Sequence, residues 1–411
     1  LGETPTIRFI DLFCGIGGFH QAIKRIFPDA ECVMASDINK HAQNTYQKNY
    51  NIKVQGDIRK VDEKSIPDFD ILCAGFPCQT FSNAGKKQCF NDTRGTLYHE
   101  ILRIAQHKTP KYMFLENVKH ITRIDNGKVF NTILGSLDEI GYDVTCFTLS
   151  PHELGIPQQR ERVIFVCIRK DILKPEDVDI VIPDVPIRFD SIFEENPDPK
   201  YNIPEDINTA LCAWDEMIQC FEYNECLSPT IMCNEFYKNY TPEQFENLAK
   251  WRKDYIQRNK RLYNKYSQQW DNWYKKHETI MKRREVYGKL EWQVGRKKEE
   301  DSIFNYFIQV RQSGMRVKKT KYFPTLVAMV QTPIIGNKKR YITPRECARL
   351  QSFPDSFIMH ENDRQAYKQF GNAVNVDVVH LIINHVMQMY GEKMIEHCNH
   401  NNVNKKCLRN V

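Results

Sequence analysis

The chain has 411 residues, 41% hydrophobic and 27% charged, with a net charge of +6. That length allows two domains and at least one large core, and no apolar run approaches the roughly 18 residues that a membrane span needs. Fourteen scattered cysteines without a Cys-x-x-Cys pair favour free thiols in a reducing compartment over a disulfide scaffold. The N-terminus lacks the basic segment and apolar core of a secretory signal. The chain opens at Leu1, so we expect its natural start to lie upstream.

Residues 1–168 alternate short apolar runs with helical patterns. Strands are predicted at Ile7–Phe13, Glu31–Ser36, Phe69–Ala74, Tyr112–Glu116, Val144–Leu149 and Val163–Ile168. Helices are predicted at Gly18–Phe27 and Lys40–Asn49. Strands alternating with helices imply crossover units and a mostly parallel α/β sheet. Between Leu173 and Pro204 periodicity fades, as in a linker or an irregular domain start. From Lys250 to Lys298 there are 16 Lys or Arg against 5 Asp or Glu, interleaved with Trp251, Tyr255, Tyr263, Tyr266, Trp270, Trp273 and Tyr274. No proline interrupts this stretch, so it should be largely helical. It is either a solvated hairpin packed through its aromatics or a basic face that tracks phosphates. Further on, Thr343-Pro344 is a helix-start signature with threonine as the cap, and an apolar helix is predicted at Val376–Tyr390. His397, Cys398, His400 and Cys407 lie among Asn and Lys residues and read as a loose tail; no metal is expected.

The residues with chemical potential sit at predicted strand ends, where open α/β sheets build their ligand sites. Gly15, Gly17 and Gly18 follow the first strand and permit a tight turn with close backbone approach to a ligand. Asp37 ends the second strand, placed to accept both hydroxyls of a ribose. Asp57 can accept from an adenine amine. Cys78 follows Pro77 in a turn beyond a strand and precedes the polar run Ser82–Lys87, which suits a nucleophile next to a closing loop. Glu116 ends an apolar strand, where an unpaired carboxylate is costly. Arg160 and Arg162 alternate, so both face one side if extended.

These residues lie in motifs that resemble the DNA cytosine-5 methyltransferases of bacterial and viral restriction–modification systems. The motifs are Asp11-Leu12-Phe13-Cys14-Gly15-Ile16-Gly17-Gly18-Phe19, Gly75-Phe76-Pro77-Cys78-Gln79, Asp92-Thr93-Arg94-Gly95-Thr96-Leu97, Glu116-Asn117-Val118-Lys119, Gly155-Ile156-Pro157-Gln158-Gln159-Arg160-Glu161-Arg162, Arg345-Glu346-Cys347-Ala348-Arg349 and Gln369-Phe370-Gly371-Asn372-Ala373-Val374. The resemblance implies a Rossmann-like S-adenosylmethionine-dependent methyltransferase sheet with a smaller target-recognition domain. It implies S-adenosylmethionine as donor and S-adenosylhomocysteine as product, held by Phe13, Gly15, Gly17, Gly18, Asp37, Ile38, Asp57, Ile58, Pro77 and Asn372. Cys78, Glu116, Arg160 and Arg162 are the implied catalytic set. Three positions depart from the commonest pattern. Cys14 replaces Ala or Ser, Asn39 stands where an acid is frequent, and Ile38 stands where an aromatic is frequent, so weaker cofactor affinity is expected.

We therefore expect a catalytic and cofactor-binding domain over 1–170 and a target-recognition domain over 171–339. The latter would carry the basic helical insertion at about 241–298. A segment 340–391 would return to the catalytic domain, with a tail over 392–411. Double-stranded DNA is the expected partner, contacted by Gln79, Ser82, Arg94 and Thr325, with residues 80–99 as a closing lid. Arg311, Gln312, Arg316 and Lys318 are candidate readers of base edges in the major groove. A cognate nuclease would share the site without binding the enzyme, which we expect to be monomeric and cytoplasmic, at a bacterial nucleoid or in a viral host's DNA compartment. Two other readings compete. One branch of the family methylates tRNA, and Cys146-Phe147-Thr148 matches a tripeptide of that branch, but in a catalytic-domain strand. An inactive DNA-binding relative would not need Cys78, Glu116 and Arg162.

Overall fold

The computed structural model of the chain describes residues 6–77, 97–172, 180–227, 229–328 and 331–389. These form two compact units, one of residues 1–193 with 347–411 and one of residues 194–346. Cys78, Gln79, Ser82, Arg94, the proposed lid up to residue 96 and the His/Cys-containing tail lie outside the described residues. Among the described residues, no helix is long and apolar enough to cross a membrane, and no His, Cys, Asp and Glu cluster could hold a metal.

The first unit is built on a six-stranded sheet of order β2-β1-β3-β4-β6-β5. Its strands are β1 (Arg8–Leu12), β2 (Glu31–Ser36), β3 (Ile71–Gly75), β4 (Tyr112–Val118), β5 (Tyr142–Leu149) and β6 (Arg162–Arg169). β2, β1, β3 and β4 pair in parallel, and β6 runs antiparallel to both β4 and β5. The sheet is thus mostly parallel, with β6 reversed. Side chains alternate across the sheet plane. Ile10, Leu12, Leu72, Ala74, Met113, Leu115, Val163 and Phe165 bury one face against α3 (Leu97–Lys108) and α4 (Lys128–Glu139). Phe9 and Asp11, of opposite parity, meet α1 (Gly18–Ile26) and α2 (Lys40–Tyr50) through His20 and Tyr46. Helices on both faces make this a doubly wound, Rossmann-like sheet.

α2 starts at Asn39, whose side-chain oxygen accepts from the backbone N–H groups of His41 and Ala42. The residue that departs from the acidic family pattern therefore works as a helix cap. The chain returns to this unit with α8 (Pro344–Leu350), α9 (Asp363–Asn372) and a helix over residues 376–389. Gln158 Nε2 donates to Leu350 O at 3.1 Å, and Gln351 Nε2 donates to Phe370 O at 2.7 Å. The first bond fixes the returning segment beside the residues that precede β6, and the second ties the residue after α8 to α9 within it.

The second unit holds another six-stranded sheet, of order β12-β11-β9-β10-β8-β7. Its strands are β7 (Thr230–Met232), β8 (Lys289–Gln293), β9 (Phe307–Arg311), β10 (Gly314–Lys318), β11 (Ile334–Ile335) and β12 (Arg340–Tyr341). Its core joins Ile231, Leu290, Trp292, Ile308, Met315 and Val317 to Trp214 of α5 (Glu205–Gln219), Leu262 of α6 (Lys250–Lys265) and Trp270 and Trp273 of α7 (Ser267–Arg283). Trp214 and Trp273 donate their indole N–H groups to Tyr287 O and Ala213 O, so two of these rings are buried with a hydrogen bond made. The basic stretch is helical only as far as Arg283; Lys289–Gln293 is a strand, entered through the turn Glu285–Gly288. Thr343 caps α8 as its sequence suggests: its hydroxyl accepts from Glu346 N, and the Glu346 carboxylate accepts from Thr343 N. Glu346 is fully buried and also accepts from both terminal nitrogens of Arg340 and from Glu194 N. One carboxylate thereby ties the first and last residues of the unit together.

Candidate active site

The carboxyl edge of the first sheet gathers most of the described candidate residues. Register places Gly75 beside Glu116 and Val118 beside Arg162. Glu116 is buried at the end of β4, and Arg162 Nε lies 2.9 Å from its Oε1. A buried carboxylate needs such a partner, because an uncompensated charge there is strongly destabilising. Gly75 lies beside the other oxygen: a Cβ at that position would be in ordinary contact with Glu116 Oε2, at 3.9 Å. The next residue, Asn117, donates from Nδ2 to Phe76 O at 2.9 Å. That bond anchors the Phe76-Pro77 turn from which Cys78 follows, a supporting role that no local sequence signal marks.

Arg160 differs from Arg162. It is 4% exposed, and Nη2 donates to Gly371 O at 2.9 Å and Ala373 O at 3.1 Å, the carbonyls that end α9. Its backbone N–H donates to Ser150 Oγ at 2.8 Å. Burial, then the neighbouring Arg162 charge, lowers its pKa to about 9, with Glu116 opposing. Arg160 therefore holds the returning segment in place and has little surface left for a phosphate. Asn372, exposed, lies between the two carbonyls that Arg160 binds.

The glycine turn after β1 has two functions. Gly15 has φ +54° and a Cβ there would meet no atom within 4 Å, so this residue faces open space. Gly17, at φ +87°, is packed instead: a Cβ would lie 2.3 Å from Tyr50, whose hydroxyl donates to Ile16 O and Gly17 O. Gly18 would put its Cβ 2.6 Å from Val374 O, so it is small to admit the returning segment. Phe13 also takes a left-handed conformation, at φ 53°. Asp37 closes the turn by accepting from Gly15 N at 2.9 Å and Asn39 N at 2.7 Å, while burial raises its pKa. Next to it, Ile38 is 71% exposed. Asp57 caps the short helical turn Ile58–Lys60, and its bond to Arg59 lowers its pKa to about 2; Ile58 is buried. Open space at Gly15, an exposed apolar side chain and two acids fit an adenosine-bearing group.

In the second unit, β9 and β10 form a hairpin through Gln312 and Ser313, both exposed. Arg311, Arg316 and Lys318 lie on its strands, all half-buried. Arg316 Nε is 2.6 Å from Glu291 Oε2. Burial, then Arg316, lowers the Lys318 pKa. Thr325 is half-buried and Leu326 buried. Cys146-Phe147-Thr148 lies in β5.

This sheet and its edge define a Rossmann-like methyltransferase. Residues 7–388 match the family described as C-5 cytosine-specific DNA methylase. The chain is 32% identical to the type II methyltransferase M.HhaI of Haemophilus parahaemolyticus over 376 residues, covering 92% of this chain and 93% of the relative. It is 34% identical to the type II methyltransferase M.BanI of Aneurinibacillus aneurinilyticus, covering 94% and 98%. A solved DNMT2 triple mutant from Spodoptera frugiperda shares the fold, with a TM-score of 0.56 at 22% identity over 93% of this chain and all of that one. The chain belongs to the C-5 cytosine-specific DNA methylases, and it is a DNA cytosine-5 methyltransferase of restriction–modification type.

Proposed function

We propose that this enzyme methylates C5 of a flipped cytosine within a specific duplex sequence, with S-adenosylmethionine as donor and a covalent Cys78 adduct on the path. The observation that carries the reading is the Glu116–Arg162 ion pair, buried at the end of β4 and register-matched to the strand that leads into Pro77-Cys78. Phe13, Gly15, Asp37, Ile38, Asp57, Ile58, Pro77 and Asn372 hold the donor, and Gly17 and Gly18 shape the turn around it. When bound, S-adenosylmethionine supplies the electrophilic methyl that the activated ring takes up.

The protein's own part is to activate a poor nucleophile. The Cys78 thiolate adds to C6, and the ring electrons move toward N3 and C5. Glu116 donates a proton or hydrogen bond to N3, where negative charge develops. Arg162 orients the Glu116 carboxyl through Nε and is itself held by Nη1 on Glu161 O, which leaves Nη2 to serve O2. A base, most simply water, then removes the C5 proton. The C5–C6 double bond re-forms and Cys78 leaves as thiolate. These ring atoms are inaccessible within a duplex, so the cytosine must leave the stack. Residues 194–346 act as the target-recognition unit, and the enzyme works as a monomer.

Trapping tests this. A duplex pool containing 5-fluorocytosine, with S-adenosylmethionine, should give a denaturant-stable adduct with the wild type and none with Cys78→Ser. An adduct mapped to another cysteine would overturn the assignment.

A further inference from the structure

Strands β9, β10 and β8 bring a row of polar side chains together on one face of the second sheet. Arg316 is the direct neighbour of Gln309 on one side and Glu291 on the other. Met315 and Val317, of opposite parity, are buried in the core. β10 can lie this close to β8 because residue 314 is glycine: at φ +142°, a Cβ there would meet Lys289 O at 2.8 Å.

Glu291 is the centre of this row, 7% exposed. Its Oε2 accepts from Arg316 Nε at 2.6 Å and lies 3.8 Å from Arg311 Nη1. Ser313, at the exposed tip, also favours its ionised form. Burial pushes its carboxyl up, but Ser313, Arg316 and Arg311 together outweigh burial and hold it below the ordinary range. One carboxylate is thus hydrogen-bonded to Arg316 on β10 and within ion-pair distance of Arg311 on β9, whose Nε and Nη1 make no hydrogen bond among the described residues.

We propose that Glu291 is a specificity-determining residue: a buried carboxylate that clamps Arg316, with Arg311 and Ser313 held beside it, so that the hairpin meets base edges in one geometry. The proposal rests on the reading of residues 194–346 as the recognition unit. An arginine reads a guanine through two parallel N–H groups, and its long side chain must be immobilised to do so. Engaging Nε with Glu291 uses one edge of the guanidinium and leaves the terminal nitrogens for a base. Two guanidinium groups against one carboxylate, with Lys318 nearby, keep the face cationic. A buried ion pair adds little net stability over well-packed apolar residues, so stability alone is a weak reason for this arrangement. Glu291 touches no reacting atom; it is a positioning residue.

The test is a methylation profile. The full-length enzyme and S-adenosylmethionine act on duplexes with a central cytosine and randomised flanks, read by bisulfite sequencing. Arg316→Ala should relax discrimination at one or two flanking positions, roughly 10- to 100-fold, the scale of one bidentate pair. Glu291→Gln should relax the same positions, and discrimination should fall more than the rate on the preferred sequence. Glu291→Asp should recover part of the profile. Ser313→Ala, at an exposed site, should shift it even if the Glu291 variants do not fold. A wild-type profile in the Glu291 and Ser313 variants, with a relaxed one in Arg316→Ala, would make the clamp purely structural and overturn the proposal. A wild-type profile in Arg311→Ala and Arg316→Ala would instead remove base reading by this hairpin, and the proposal with it.

Discussion

His20 is buried behind the glycine turn, 5% exposed, where a charged imidazole loses its solvation. Nδ1 lies 2.8 Å from Tyr46 Oη, Tyr50 stacks on the ring at 3.9 Å, and Phe9 meets it edge-on at 5.2 Å. Burial, followed by repulsion from Lys24, lowers its pKa from 6.5 to about 3. The sign follows from proton binding: below 6.5 the unfolded chain takes a proton at this residue, while the native state refuses it until about pH 3. Native stability is therefore lost as pH falls through that window, by about 2 kcal/mol at pH 5. Asp11, bonded to Tyr46 and raised by burial, works the opposite way, because its native carboxyl gains a proton early. Comparison with His20→Phe separates the two. The wild type should lose about 2 kcal/mol more than the variant between pH 7 and pH 5, measured by urea unfolding. Equal losses would mean that another group titrates. His20 carries no sequence signal for this role. A lone histidine in a helix reads as ordinary, and only packing against Tyr46 and Tyr50, contributed by α2, makes it neutral.

The turn between β1 and α1 shows what a sequence element reveals and what it hides. Its glycines follow an apolar strand and precede a helix, so the turn is legible from local spacing. The division of labour between them is not, because it depends on Tyr50 and Val374 arriving from elsewhere in the chain. Gly15→Ala should keep the fold, at a cost of about 1 kcal/mol for a left-handed alanine, yet bind S-adenosylmethionine more weakly. Gly17→Ala must displace Tyr50 and should lower the melting temperature first. Thermal melts and calorimetric titration with the cofactor distinguish the two; equal melting temperatures would contradict this packing. The second sheet was far less legible. β11 and β12 have two residues each and β7 has three, too few for a period of two to register. In β8, Leu290 and Trp292 do alternate with Lys289, Glu291 and Gln293, but the strand follows a long basic helix and is masked by it. Glu116, by contrast, could be found because an acid at the end of an apolar run is costly anywhere.

At the scale of the whole molecule, the excess of positive charge matters by where it is left unpaired. In the second unit, Lys253, Lys265, Lys276, Lys282 and Lys289 each lie within ion-pair distance of a glutamate. The tryptophans interleaved with them in sequence, Trp270 and Trp273, are buried in that unit's core. Packing and neutralisation thus account for part of the basic stretch. Lys250, Arg258, Arg261 and Lys275 differ: all are exposed, and none has a carboxylate partner among the described residues. Free cations are the ones that release counterions from a phosphate backbone. Changing these four to Glu should weaken binding to all duplexes alike, because phosphate contacts carry no base information. The slope of log affinity against log salt should flatten by about 0.9 for each phosphate that is no longer neutralised. Reversing Lys276 and Lys282, already neutralised by Glu216 and Glu278, should change the slope less. Anisotropy titrations of an unmethylated duplex over roughly 50 to 200 mM salt measure both. If the fourfold variant kept the wild-type slope, α6 and α7 would be a scaffold, and DNA affinity would have to come from the first unit and the β9–β10 hairpin.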